Sequence, residues 1–163
     1  MANWRFYRCL EATMLDFLIA TASTAGLKDI NGNSITFRCG RKKDKSWSLP
    51  LITLYMDTEV ASRFEIGSFL RDDSQTIIID IYALTEADRL DLAKWVVDTI
   101  NNGCVYYNYA DNPEDSEAPT KTANGRIKVA DFLENTRTNL GQNVDVYDQH
   151  RHRISIRVEK PGS

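Results

Sequence analysis

TIIIDIYALTEADRLDLAKWVVDTI, residues 76–100, changes its period part-way along. Thr76 to Ala83 is rich in β-branched residues; as a strand it sends Ile77, Ile79 and Ile81 to one face and Ile78, Asp80 and Tyr82 to the other. From Thr85 the spacing becomes helical. Thr85 is placed as an N-cap with Asp88 three residues on as an approximate capping box, Leu90, Ala93, Val96, Val97 and Ile100 line one face, and Gly103 stops the helix.

Upstream, Pro50 to Asp57 predicts another strand, with Leu51, Thr53 and Tyr55 on one face and Ile52, Leu54 and Met56 on the other. Both faces are largely apolar, as in a strand that is central or covered on both sides. It is expected to pair antiparallel with the strand beginning at Thr76. The intervening Thr58 to Gln75, with Gly67-Ser68 and Arg71-Asp72-Asp73, is too polar for core and too long for a tight turn. Nearer the N-terminus, Phe6, Leu10, Met14, Phe17 and Leu18 recur at helical spacing behind Asn3 as N-cap, and Gly26 ends that helix. Asn31-Gly32-Asn33 is turn chemistry, and Ser34 to Cys39 alternates as a half-buried strand does.

Downstream, Cys104 to Tyr109 resumes as a strand, and an acidic loop bracketed by Asn112-Pro113 and Ala118-Pro119 runs to about Gly125. Arg126 to Leu133 and Val144 to Val158 predict two more β segments that pair with each other. The order helix, strands, helix, strands gives an α+β fold: a largely antiparallel mixed sheet with two main helices packed on one face, plus extended loops. One domain over 1–163 is expected, with flexible loops at about 39–49, 58–75 and 110–125. The length of 163 residues, 42% hydrophobic and 26% charged, suits one globular core without staples.

The three cysteines, Cys9, Cys39 and Cys104, are odd in number and never form CxxC, which points to a reducing compartment rather than a disulfide framework or zinc knuckle. Arg5, Arg8, Glu11 and Asp16 interrupt the N-terminal apolar stretch, so neither a signal-peptide core nor a membrane span is expected, and cytosolic synthesis follows. A net charge of −3 lacks the basic surplus of nucleic-acid binders. The charges are sorted: Arg38, Arg41, Lys42, Lys43 and Lys45 form a basic run, and Asp111, Glu114, Asp115 and Glu117 an acidic one.

GxGxxG, GxxxxGK[ST], HExxH and GxSxG are all missing from the sequence. His150 and His152, two apart on a strand, share a face and with Asp148 could hold a metal, the arrangement of a small metal-dependent hydrolase; a polar strand start is the plainer reading. Asp57, Glu59, Asp72, Asp73 and Asp80 invite a carboxylate-pair reading. Most read as surface charges; Asp80, which interrupts an apolar strand, is most simply neutralised by an arginine from a neighbouring strand or subunit. The basic run beside Trp47 could form a nucleic-acid patch, with a solvated loop or a protein contact preferred. Arg41, Lys42, Lys43, Trp47, Glu59, Phe64 and Phe69 are accordingly candidates for a partner interface.

Leu49 to Asp57, the excursion containing Phe64-Glu65-Ile66-Gly67, Thr76 to Tyr82, Thr85-Glu86-Ala87-Asp88 and the close His150 to Val158 together resemble the tail-terminator proteins of long-tailed bacteriophages, also called neck or tail-completion proteins. The long acidic loop and the Arg41 to Lys45 segment depart from the shortest members. The resemblance implies a non-enzymatic virion protein without cofactor. Such a protein forms a homo-oligomeric ring, a hexamer, at the head-proximal end of the tail tube, stops tube polymerisation and joins the tail to the head connector or stopper. Genomic DNA passes through transiently, no membrane is involved, and assembly takes place in the host cytoplasm. A head-tail adaptor or stopper of the same connector is the neighbouring alternative. Asp111, Glu114, Asp115 and Glu117 are expected at the channel or a docking surface, where like charge would keep DNA from sticking.

Overall fold

In the computed structural model, residues 6–40, 47–57, 75–110, 120–137 and 150–160 are described. The elements are α1 (Phe6–Ala25), β1 (Thr36–Cys39), β2 (Leu51–Met56), β3 (Gln75–Ala83), α2 (Glu86–Ile100), β4 (Cys104–Tyr109), β5 (Lys121–Arg137) and β6 (His150–Glu159). The strands form one mixed, curled sheet in the order β1-β2-β3-β6-β5-β4, in which only β1 and β2 pair parallel. The fold is α+β and the sheet mostly antiparallel.

β2 and β3 read as the sequence predicts, because β-branched residues on both faces suit strands covered on both sides. Ile52, Leu54, Ile77, Ile79 and Ile81 join Ile154, Ile156 and Val158 of β6 in one core with Leu10, Met14 and Leu18 of α1 and Leu92, Val96 and Ile100 of α2. Each such side chain contributes roughly 1.5–3 kcal/mol of burial. Leu51, Thr53, Tyr55, Ile78, Asp80 and Tyr82 share the opposite face and are buried as well.

Thr85 caps α2, accepting from the Asp88 amide at 3.1 Å. The second half of a capping box is replaced, because the Asp88 carboxylate accepts instead from the Thr85 hydroxyl and from the Ile30 amide. Aspartate is one methylene shorter than glutamate, and here it ties the α1–β1 connection to the start of α2. The buried stripe of α2 runs through Asp88, Arg89, Leu92, Ala93, Val96 and Ile100. Leu90, expected on that stripe, is 54% exposed, since the stripe's first turn is polar and Leu92 takes the apolar position.

Two boundaries differ from expectation. Lys121 to Gly125, assigned above to the acidic loop, belongs to β5 and pairs with β4 through Tyr107↔Ala123, Asn108↔Thr122 and Tyr109↔Lys121. Its side chains are exposed on both faces, so it lacks the alternation that marks a half-buried strand. The other is the start of β1, Thr36 rather than Ser34, which bridges to Lys28 instead; Cys39 ends the strand as expected. Asn3 and the Val144 to Gln149 part of the last predicted strand lie outside the described residues, as do most of the predicted loops.

α1 contacts β1 and β2 at one end of the sheet and β4 at the other. Thr13 Oγ1 accepts from the Tyr107 amide at 3.2 Å and donates to the Tyr107 carbonyl at 3.3 Å, the exchange a neighbouring strand would make. Arg8 donates to the Tyr109 carbonyl, the Tyr109 amide donates to Cys9 Sγ, and Glu11 accepts from the Met56 amide beyond the end of β1. The outer edge of β4 is therefore sealed by a helix.

Gly103 turns from α2 into β4 at φ +66°, and a Cβ placed there would meet the Ile127 carbonyl oxygen at 2.0 Å. At Gly125, φ +86°, the nearest atom to such a Cβ is 3.8 Å away. Gly125→Ala is expected to cost about 1–2 kcal/mol, the left-handed penalty alone. Gly103→Ala costs clearly more, because β5 must also move; urea unfolding of the two variants measures the difference.

Candidate functional site

β6 begins with His150-Arg151-His152-Arg153, and the pleat sends these side chains alternately to the two faces of the sheet. Arg151 and Arg153 meet Asp80, which is 1% exposed on β3. Arg151 donates to Asp80 Oδ2 at 2.9 Å, and Arg153 reaches Oδ1 at 2.8 Å and Oδ2 at 3.1 Å. Arg153 also donates to the Tyr55 hydroxyl, and Arg151 lies 5.1 Å over the Tyr82 ring. The Asp80 hydrogen bond raises the Arg153 pKa still further, so this guanidinium is permanently charged. Thus Asp80 is neutralised by arginine, from β6 of its own chain.

His150 and His152 share a face, as their spacing predicts, and it is the face on which α2 packs. Both are committed to protein groups. Arg89 donates to Glu86 from Nε and Nη2 and from Nη1 to His152 Nδ1. A guanidinium offers only donors, so His152 Nδ1 accepts, and its Nε2–H donates to Asn135 Oδ1 of β5 at 2.6 Å. His150 Nδ1 lies 3.2 Å from Glu86 Oε2. The Arg89 hydrogen bond pulls the Glu86 pKa down to about 2. Burial and then the Arg89 charge lower that of His152, keeping it neutral. The Arg89 guanidinium thus bridges Glu86 and His152. Among the described residues no group of three His, Cys, Asp or Glu side chains is gathered, and Asp148 lies outside them.

A groove of about 300 Å³ runs between α1 and β4, lined by Thr13, Asp16, Cys104, Tyr107, Lys121 and Arg126 among others. Its reactive groups are occupied or silent. The Tyr109 hydroxyl donates to Asp16, with burial first and that bond second raising the tyrosine pKa. Lys121 sits 4.6 Å over the Tyr107 ring, and burial pushes the Cys104 thiol up to about 11, so it stays protonated at neutral pH.

The remaining feature is a surface. β5 is exposed along its length except at Ile127 and, in part, Val129. Among the described residues Lys121–Ile127 pairs with β4, whereas Lys128–Arg137 pairs with β6. Register shifts between Val129 and Asp131 and between Phe132 and Glu134 bulge this stretch, which displays Phe132 at 38% and Leu133 at 54% exposure. The two polar clusters hold it from behind: Asp80 fixes β6 on one face, and Arg89 reaches Asn135 through His152 on the other.

Of the residues singled out from sequence, Trp47 is half-buried shortly before β2. Arg41, Lys42, Lys43, Glu59, Phe64, Phe69, Asp111, Glu114, Asp115 and Glu117 lie outside the described residues. Sequence reasoning missed Arg89, Asn135, Phe132 and Leu133. A helix-stripe position filled by arginine beside the His-x-His of β6 was the available signal for the first; the bulges hid the others by breaking alternation. Comparison with protein-family models finds no match, and comparison with curated proteins finds no relative of significant sequence similarity.

Asp80→Asn leaves two guanidiniums without their counter-charge. The expected loss is about 3 kcal/mol, the lower end of the range for breaking a buried ion pair, because both arginines retain some access to water. Urea denaturation checks it.

His152 is held below its ordinary 6.5, so the unfolded chain binds a proton that the folded chain refuses. Stability from this group is present above about pH 6.5 and is lost as pH falls from there. Glu86 adds a second, lower window between its ordinary 4.5 and about 2. His152→Gln is expected to flatten the upper slope and leave the lower one, read from thermal melts between pH 3 and pH 8.

Proposed function

We propose that this chain is a structural subunit of a phage virion, forming a hexameric ring at the head-proximal end of the tail tube, where it terminates tube polymerisation and joins the tail to the head connector. The observation that carries the reading is β5. A long strand exposed on both faces, held rigidly by β6 and presenting Phe132 and Leu133, suits a protein that works by fitting against neighbours.

Charge supports the same reading. Following the pairings across the sheet, β1 and β4 run in the same direction, so the chain leaves β1 at Gly40 and β4 at Ala110 on the same end of the sheet. The sequence beyond Gly40 is the basic run Arg41 to Lys45, and that beyond Ala110 carries Asp111, Glu114, Asp115 and Glu117. Oppositely charged segments in one sequence favour ordered contact with copies and with adjacent rings. The resemblance to tail terminators supplies the partners: copies of itself, tail-tube protein, and the head connector or stopper. DNA crosses the ring without being held, and the subunit works without cofactor or turnover, in a virion assembled in the host cytoplasm.

Electron microscopy of tails assembled from tube protein with and without this chain tests the proposal. Tubes of uniform length ending in a ring are expected with it, and overlong open-ended tubes without it. Identical tubes in both preparations would reject the reading.

A further inference from the structure

The groove of about 300 Å³ between α1 and β4 is chemically uneven. Phe17 and Ala20 of α1 and Val105 of β4 give it apolar walls, while Lys121 and Arg126 of β5 bring two cations to its border. Lys121 stands opposite Tyr109 and Arg126 opposite Val105, so four steps of β4, roughly 13 Å, separate them. Burial raises the Cys104 pKa and the Arg126 charge opposes it, which sets that guanidinium close to the groove floor.

Neither cation is neutralised. Both side chains are exposed, and among the described residues neither makes an ion pair. Lys121 has the Tyr107 ring on one side, which leaves ammonium donors for a second partner. Asp16, the one carboxylate in the lining, is held by the Tyr109 hydroxyl. Two unpaired cations beside apolar walls fit a segment that carries carboxylates and no charge of the other sign.

The sequence contains such a segment. Residues 111–117 hold Asp111, Glu114, Asp115 and Glu117, and no lysine or arginine lies between Ala110 and Thr120. Pro113 and Pro119 bias the residue before each to extended backbone, so less chain entropy is lost when the run is fixed in a groove. Its own groove is awkward for it to reach. The Ala110 amide donates to the Thr120 carbonyl at 3.0 Å, so the residues between must go out and return, a reach of roughly 15–18 Å when fully drawn out. To set a carboxylate on Arg126, the run would have to enter its own groove as a taut doubled strand in about 300 Å³. The run of another molecule carries no such tether to this groove and can enter from outside with slack.

We propose that the α1–β4 groove is the socket in which the acidic run Asp111–Glu117 of a second copy of this chain docks, its carboxylates on Arg126 and Lys121. The contact is heterologous, each copy giving its run to one neighbour and its groove to the other, the geometry that closes into a ring when the rotation fits. This rests on the ring reading above and names a contact that makes it.

The test uses the purified full-length chain, R126E, E114K/D115K and an equimolar mixture of the two variants, with mass followed by light scattering across a concentration series. Urea midpoints serve as the control for folding. R126Q, which adds no carboxylate beside Asp16, replaces R126E if that variant's urea midpoint drops, with the same direction expected. Each variant alone is expected to raise the assembly midpoint about tenfold or more. The mixture returns it close to the wild-type value, because the reversed run of one variant then meets the reversed groove of the other. Rings whose midpoint neither variant moves would overturn the socket while leaving ring formation intact. An effect of E114K/D115K without one of the Arg126 variant would place the run elsewhere and overturn it too. Variants that both weaken assembly but are not rescued by mixing would overturn the second copy as occupant. A wild-type chain that stays monomeric throughout would overturn both the socket and the ring.

Discussion

The fold depends on one buried carboxylate. Asp80 sits in the middle of β3 with almost no access to water, a position tolerable only because two guanidiniums of β6 converge on it. This fixes register as well as charge. A one-residue slip of β6 would turn Arg151 and Arg153 toward the helices and bring His152 and Ile154 to Asp80, exchanging an ion pair for an isolated charge. The same alternation that sends the arginines to Asp80 sends His152 to Arg89, so both faces of β6 are locked by polar contacts with definite geometry. β5 inherits its position from β6 through backbone pairing and through Asn135.

The rest of the architecture shows how this sheet treats its edges. α1 seals β4 with the hydroxyl of Thr13, the thiol of Cys9 and the guanidinium of Arg8, and it supplies Glu11 where β1 runs out. A chain that covers one edge so fully and, among the described residues, leaves the far half of β5 open with Phe132 and Leu133 on it fits the proposed role of packing against neighbours.

Much of this was legible from sequence where side chains alternate in a buried sheet or recur on a helix. The faces of β2 and β3, the Thr85 cap, the Gly26 and Gly103 stops and the pairing of the last two strands all follow from periodicity and turn chemistry. The need of Asp80 for an arginine was also readable, since a lone carboxylate in an isoleucine strand is too costly to leave unpaired. Periodicity failed where polar contacts replace apolar ones. Leu90 was misplaced because the first turn of α2 buries Asp88 and Arg89, and Lys121 to Gly125 passed for loop because an exposed strand has no inward face to betray it. The parallel pairing of β1 with β2 has no local signature at all. As for function, the resemblance to tail terminators named an assembly, whereas the exposed course of β5 became visible only in the folded sheet.

The central claim is that β5 between Lys128 and Arg137 is an interface. Amide hydrogen exchange of this stretch, compared between dilute and assembled protein, addresses it directly. The account predicts that amides pointing away from β6 exchange rapidly in the dilute chain and become protected on assembly. Equal exchange in the two states, while other segments gain protection, would contradict it.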